Sequence, residues 1–215
     1  MNLHIATLGK EIGHVMSSFK EFKIDKLIII TSKEFENKAD EVKEKIGYFN
    51  IEAEIKIIDP FTKESYSSII ETIIKEVKQN KEENEIFINI TGGTNLMSSA
   101  ALTAAQYLGA NAYYVIKGTK RDQFIKVPIL KISLKDSLSL KQRKIFEMMY
   151  RESQKTGFIK NLNKFAEASG LYKQKLQFYL DQFQKLSLIE IDKSEREHTL
   201  KITPTGKIIK QLLEV

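Results

Sequence analysis

Cysteine is missing from all 215 residues. That excludes disulfides, thiolate zinc sites and cysteine nucleophiles, and it fits a reducing cytoplasm. Histidine is scarce: His4, His14 and His198 stand far apart. Each reads as an ordinary polar residue, and no metal site is expected. No apolar run approaches the roughly 20 residues that a membrane-spanning helix needs, so no membrane contact is expected. The segment Met1-Asn2-Leu3-His4-Ile5 enters a strand-like run without a basic leader, so cytoplasmic localisation is the expectation. Two phosphate motifs are also lacking. Asn95 stands where a P-loop would place lysine after its second glycine, and Gly-x-Gly-x-x-Gly does not occur. ATP hydrolysis and dinucleotide redox chemistry therefore lose support, and no cofactor is expected.

What is present is an alternation of strand and helix patterns. Leu3–Leu8 reads as a strand, and a helical segment Lys10–Phe22 follows the Gly9 turn. Lys26–Thr31 is a continuous apolar strand of the kind buried on both faces. Ser32 suits an N-cap for a charged helix over Lys33–Ile46, with Gly47 as its stop. Glu52–Ile58 reads as a third strand. Thr62 is placed to cap a helix whose Ile69, Ile70, Ile73, Ile74 and Val77 recur at helical spacing. Ile86–Ile90 is a fourth strand and Asn95–Leu108 the helix after it. Asn111–Ile116 and Phe124–Ile132 read as two more strands, joined by a turn too short for a crossover and hence antiparallel. Repeated strand–helix units imply α/β architecture: a Rossmann-like, doubly wound, mainly parallel sheet. With the first strand central and the fourth beside it, the loops Thr7–Gly13 and Thr91–Leu96 meet at the switch point, where ligands of such sheets bind.

The segment Asn89-Ile90-Thr91-Gly92-Gly93-Thr94-Asn95-Leu96-Met97 is the most informative in the chain. A buried strand runs into paired glycines, which let backbone approach a ligand with no Cβ in the way. The helix that follows offers unpaired N–H groups and the positive end of its dipole, a natural anion site. A tight strand-to-helix turn explains an isolated Gly-Gly equally well. The threonines on either side favour a phosphate cradle.

A second unit begins near residue 136, giving expected domains of 1–135 and 136–215. The later part carries 15 Lys/Arg against 10 Asp/Glu, the earlier part 19 against 18. Positive excess in one unit suits nucleic acid, although a lysine-rich solvated surface accounts for a shift of this size too. Ser139–Ser153 reads as a helix with Leu140, Ile145, Met148 and Met149 on its apolar face. A short helix ending at Ser169-Gly170 precedes Tyr172–Leu186, with Leu176, Leu180 and Phe183 inward and Lys173, Gln174, Lys175, Gln177 and Tyr179 available to phosphates and base edges. Helix, glycine turn and amphipathic helix make a helix-turn-helix. Leu188–Asp192 and His198–Thr203 form a hairpin around Lys193–Glu197, with Lys193 and Arg196 its basic residues, and a last helix spans Lys207–Leu213. That order is a winged helix.

These motifs resemble a known family. The Asn89–Met97 segment, with Thr7-Leu8-Gly9 after the first strand, is similar to the two ligand loops of CARF domains, the CRISPR-associated Rossmann-fold sensors. Joined to a winged helix, the chain resembles the archaeal CARF–winged-helix transcriptional regulators of CRISPR loci. The resemblance implies a homodimer that binds a cyclic oligoadenylate, usually cyclic tetra-adenylate, across its axis and double-stranded DNA through the winged helices. By position, Asn89, Thr91, Gly92, Gly93, Thr94, Asn95 and Met97 would line one side of the ligand. Thr7, Leu8, Gly9 and Lys10 would form the other wall. Where many CARF domains carry Lys or Arg after Gly-Gly-Thr, this chain has Asn95, which weakens the charge contact. Some relatives cleave the ring. Thr7, Lys10 and the Lys117–Arg121 segment are the only candidates for that here, no catalytic residue is assigned, and a ring nuclease is the alternative reading.

Overall fold

The structure, a computed structural model, describes residues 2–80, 85–129, 138–160, 162–192 and 199–213. The chain divides into two units, residues 1–133 and 134–215.

In the first unit the strands are β1 (Asn2–Leu8), β2 (Lys26–Thr31), β3 (Glu52–Ile57), β4 (Glu85–Asn89), β5 (Asn111–Ile116) and β6 (Gln123–Val127). They form one sheet of order β3-β2-β1-β4-β5-β6. All pairings are parallel except β5 with β6. Chain order reverses between β1 and β4, so the switch point falls where the sequence places it. The helices are α1 (Gly13–Glu21), α2 (Glu36–Gly47), α3 (Ser65–Gln79) and α4 (Asn95–Leu108).

Burial follows from this arrangement. Every residue of β2, Lys-Leu-Ile-Ile-Ile-Thr, is buried, as a central parallel strand covered on both faces requires. Ala6, Leu8, Leu27, Ile29 and Ala53 form one core with Val15 of α1 and Ala39, Val42 and Ile46 of α2. Strand residues of opposite parity point to the other face, where α3 and α4 pack together. Lys26, at the start of β2, is buried and paired with Glu52 at 2.9 Å and Glu54 at 2.7 Å.

Several boundaries differ from the sequence expectation. Residues 10–12 belong to the loop, and α1 starts at Gly13. A short 3-10 turn, Lys33–Phe35, precedes α2, and the Ser32 side chain caps neither. Thr62 is not the cap of α3. Its amide donates to Ser65 Oγ at 2.8 Å, and that hydroxyl also reaches Asp59 O at 2.7 Å, closing a turn ahead of the helix. β6 ends at Val127, before Pro128, which has no N–H for a ladder. Residues 130–132 lie outside the described residues.

In the second unit, Ser139 and Gln142 form a reciprocal capping box at the start of α5 (Leu140–Thr156). Then come α6 (Leu162–Ala168), α7 (Lys173–Lys185), the antiparallel pair β7 (Ile189–Asp192) and β8 (Thr199–Ile202), and α8 (Pro204–Leu213). Ile159 adds a bridge to Leu200. α8 begins earlier than expected: proline suits the first helical position, and Thr203 Oγ1 accepts the Gly206 amide at 3.0 Å. Phe146, Met149, Leu180 and Phe183 are at the centre of this core. On α5, Ile145 and Met149 are buried as expected, whereas Leu140 is 76% and Met148 39% exposed; Phe146 fills the core position instead.

Candidate functional site at the β1 and β4 loops

The two loops singled out in the sequence touch. A Cβ on Gly9 would lie 3.1 Å from Gly93 N. Gly93 has φ of +81° and a virtual Cβ only 2.9 Å from Met97 Sδ, so both conformation and space there call for glycine. Around this contact lies a cavity of about 370 Å³, lined chiefly by Lys10, Glu11, His14, Gly92, Gly93 and Lys117, with Gly9, Gly13, Thr91, Val115 and Asp122 completing it. The start of α1, at Gly13 and His14, and the Gly92–Gly93 turn ahead of α4 both line it.

Side chains of the motif hold the turn rather than face the cavity. Asn89 is 1% exposed. Its amide donates to His14 O and Ser18 Oγ, each at 3.2 Å, and its oxygen accepts the Thr91 amide at 3.0 Å. Thr91 Oγ1 accepts the Val115 amide at 2.8 Å, fastening the turn to β5. Thr94 is the N-cap of α4, its hydroxyl accepting the Met97 amide at 3.2 Å, a contribution of about 1 kcal/mol. The remaining first-turn amides, those of Asn95 and Leu96, have no acceptor within the helix. Thr7 and Leu8 are fully buried, and Thr7 Oγ1 donates to Asn89 O at 3.4 Å. Met97 is 2% exposed, beneath Gly93. Of the sequence candidates, then, Gly9, Lys10, Thr91, Gly92 and Gly93 line the cavity. Thr94 and Asn95 start the helix, and Thr7, Leu8, Asn89 and Met97 are the packing beneath.

Sequence reasoning passed over His14, Glu11 and Asp122 as cavity residues. His14 sits under the glycine turn: a Cβ on Gly92 would lie 2.3 Å from its Nε2. Burial pushes the His14 imidazole down to about 4, opposed in part by the nearby Asn89 amide and Glu11. Only the tertiary closeness of Gly92 reveals it. Asp122 accepts from Ser17 Oγ and, at 3.2 Å, from the Gly118 amide, and these bonds hold its carboxyl below the usual range. Together with Arg121–Glu21 at 3.2 Å they tie the β5–β6 turn to α1 and place Lys117 at the cavity. Lys10 and Lys117 have no ion-pair partner among the described residues. The result is a cavity with backbone amides at one side, two unpaired ammonium groups and a tethered carboxylate, an arrangement suited to a phosphate-bearing ligand. No group of three or more His, Cys, Asp or Glu side chains able to hold a metal occurs among the described residues.

In the second unit, Lys173, Gln174, Lys175 and Gln177 are exposed on α7, and Gln177 Nε2 donates to Asp181 Oδ1 at 2.8 Å. Tyr179 departs from the sequence expectation. It is 6% exposed, with its ring stacked 6.4 Å from that of Phe183, and so belongs to the core. Lys193 and Arg196 lie outside the described residues.

A family model described as HFX_2341_N:-like, N-terminal, matches residues 2–119. The chain belongs to that family. The match spans β1 through β5 and so contains both cavity loops. Among solved structures, Csm6 of Enterococcus italicus, bound to cyclic hexa-2′-fluoro-hexa-dAMP, is similar with a TM-score of 0.52 at 15% identity over 87% of this chain and 55% of that one. VC1899 of Vibrio cholerae gives 0.50 at 10% identity over 99% and 65%. Can2 of Sulfobacillus thermosulfidooxidans, in complex with cyclic tetra-adenylate, gives 0.48 at 14% identity over 97% and 61%. The chain thus spans between 55% and 65% of the length of these proteins, and at such identity the likeness is one of fold. No curated protein matches this chain significantly. Family and topology together make the first unit a Rossmann-like α/β domain. No helix among the described residues is long and apolar enough to cross a membrane.

Proposed function

We propose that this protein is a ligand-responsive, CRISPR-associated transcriptional regulator. It acts as a homodimer whose first units bind a cyclic oligoadenylate, with cyclic tetra-adenylate the leading candidate, and whose second units are winged helices on double-stranded DNA. The observation that carries the reading is the cavity at the Gly9–Gly93 contact, which the Gly92–Gly93 turn lines together with the unpaired Lys10 and Lys117. A cyclic oligonucleotide supplies phosphodiesters for these amides and ammonium groups. The ligand held by Csm6, a protein of similar fold, is of the same chemical class.

For DNA, the support is the positive excess of the second unit and the exposed Lys173, Gln174, Lys175 and Gln177 of α7, followed by an antiparallel hairpin and α8. Lysines grip phosphate and glutamine reads adenine. A dimer reads half-sites about 34 Å apart, so ligand-dependent respacing of the winged helices alters DNA affinity through a coupling of about 1–3 kcal/mol. A second reading, cleavage of the ring, draws on Lys10 and Lys117, both at the cavity. Incubation with cyclic tetra-adenylate separates the two. The regulator returns the ring intact and shifts a duplex from its own promoter region in a ring-dependent way; linear products with no shift favour the nuclease.

A further inference from the structure

Among the described residues that line the cavity, His14 alone has buried side-chain nitrogens without a hydrogen-bond partner. Both of its ring nitrogens are buried, and neither meets hydrogen-bond geometry with a partner among the described residues, although the Asn89 side chain and the Glu11 backbone are near enough to favour the charged ring. Buried polar atoms are nearly always paired. His4, in the same unit, also has an unpartnered Nε2, but its ring stacks on Phe87 with centroids 4.7 Å apart and its Nδ1 lies 3.5 Å from Tyr113 Oη. His14 has no such ring cluster. It lies instead directly below the backbone of Gly92, in the wall of the cavity.

Charged groups of both signs share the cavity with it. Lys10 and Glu11 come from the β1–α1 loop, and Lys117 and Asp122 from the β5–β6 turn. β1 contributes the Thr7 carbonyl and β4 the neutral Asn89. Of these only Glu11 acts on the ring as a charge and favours protonation, yet burial outweighs it and holds the imidazole neutral. A phosphodiester seated on the glycine turn adds a negative charge on the other side of one backbone layer. Because the ring is buried, screening between charges so placed is weaker than in bulk water and the attraction is stronger.

We propose that His14 is a proton-coupled positioning residue: it takes up one proton from solvent as a phosphate group settles on the Gly92–Gly93 turn, and its charge then holds the turn against that anion. This rests on the reading that the cavity receives a phosphate-bearing ring, and adds to it a regulation by pH. The sign follows from linkage. A group that binds a proton more tightly in the complex makes the ligand bind more tightly as pH falls through the raised midpoint, and the gain ends below the free midpoint near 4.

The test is a histidine-resolved NMR titration of the full chain, free and with saturating cyclic tetra-adenylate, with inorganic sulfate as a second probe and His14→Gln to assign the signal. The expected result is a His14 midpoint raised by about two units in the complex. Calorimetry should then show ring affinity rising about tenfold from about pH 7 to about pH 5 in the wild type and flat in His14→Gln. Ring binding with an unmoved His14 signal, or with the same pH dependence in His14→Gln, overturns the inference and leaves the ligand reading standing. A His14 shift with sulfate but no binding of the ring supports the coupling and overturns the ligand reading. No shift with either probe overturns both.

Discussion

The two units present their candidate chemistry in opposite ways. In the first, backbone does the presenting: Gly92 and Gly93 bare the amides, while Asn89, Thr91 and Thr94 spend their polar atoms fixing the turn. In the second, exposed side chains of α7 do it: Lys173, Gln174, Lys175 and Gln177 stand on a helix held from behind by Leu176, Tyr179, Leu180 and Phe183. A backbone site is shaped by the whole fold and is fragile to any added Cβ. A side-chain face can be redrawn by substitution with little effect on the core.

The most damaging single change should therefore be at the turn. Gly92→Ala puts a methyl 2.3 Å from His14 Nε2 and 2.6 Å from Thr7 O. We expect about 1–3 kcal/mol of destabilisation and loss of ring binding, read by thermal melting and calorimetry; an alanine variant that binds normally would break the comparison. Acid comes next. Burial lowers His4 to about 3 and His14 to about 4 from an ordinary 6.5. Between those values the unfolded chain binds more protons than the folded one, so stability is full above about pH 6.5 and declines on acidification toward pH 4. The loss is on the order of a few kcal/mol, and His4→Phe should flatten much of it in denaturant melts taken at several pH values.

On the side-chain face, Lys173→Glu with Lys175→Glu should cost about 100-fold in DNA affinity and lower the salt slope by about two. Melting temperature and ring binding should stay put; a lost melting transition would place these lysines in the structure rather than on its face. The smallest effect is expected for Lys10→Ala with Lys117→Ala. Ring binding should weaken about tenfold in low salt, with backbone amides retaining the remainder. If that pair abolishes binding, ammonium groups and not amides carry the site.

Much of this was legible in the sequence because its signals are local. The all-apolar Leu27–Ile30 run announces a doubly covered strand, and a Gly-Gly turn between strand and helix announces bared amides. The strand order follows from alternation and the switch-point rule. The unread parts are tertiary. His14 matters only because Gly92 of a distant loop lies on it, and Asp122 because its bond to Ser17 of α1 ties down the β5–β6 turn. Tyr179 is tertiary in a related way: a tyrosine among lysines and glutamines looks like a reader of DNA, and only the register of α7 against Phe183 turns it inward. Thr7, Asn89 and Met97 belong to the same loops as buried support.

The central claim is that amides at the Gly92–Gly93 turn, doubled by pairing of two chains, grip the phosphates of one cyclic oligoadenylate. Calorimetric titration of the wild-type chain with cyclic tetra-adenylate tests it most directly. The account predicts saturable binding of one ring per two chains, abolished by Gly92→Ala. Absence of binding, one ring for every chain, or undiminished binding in the alanine variant would contradict it.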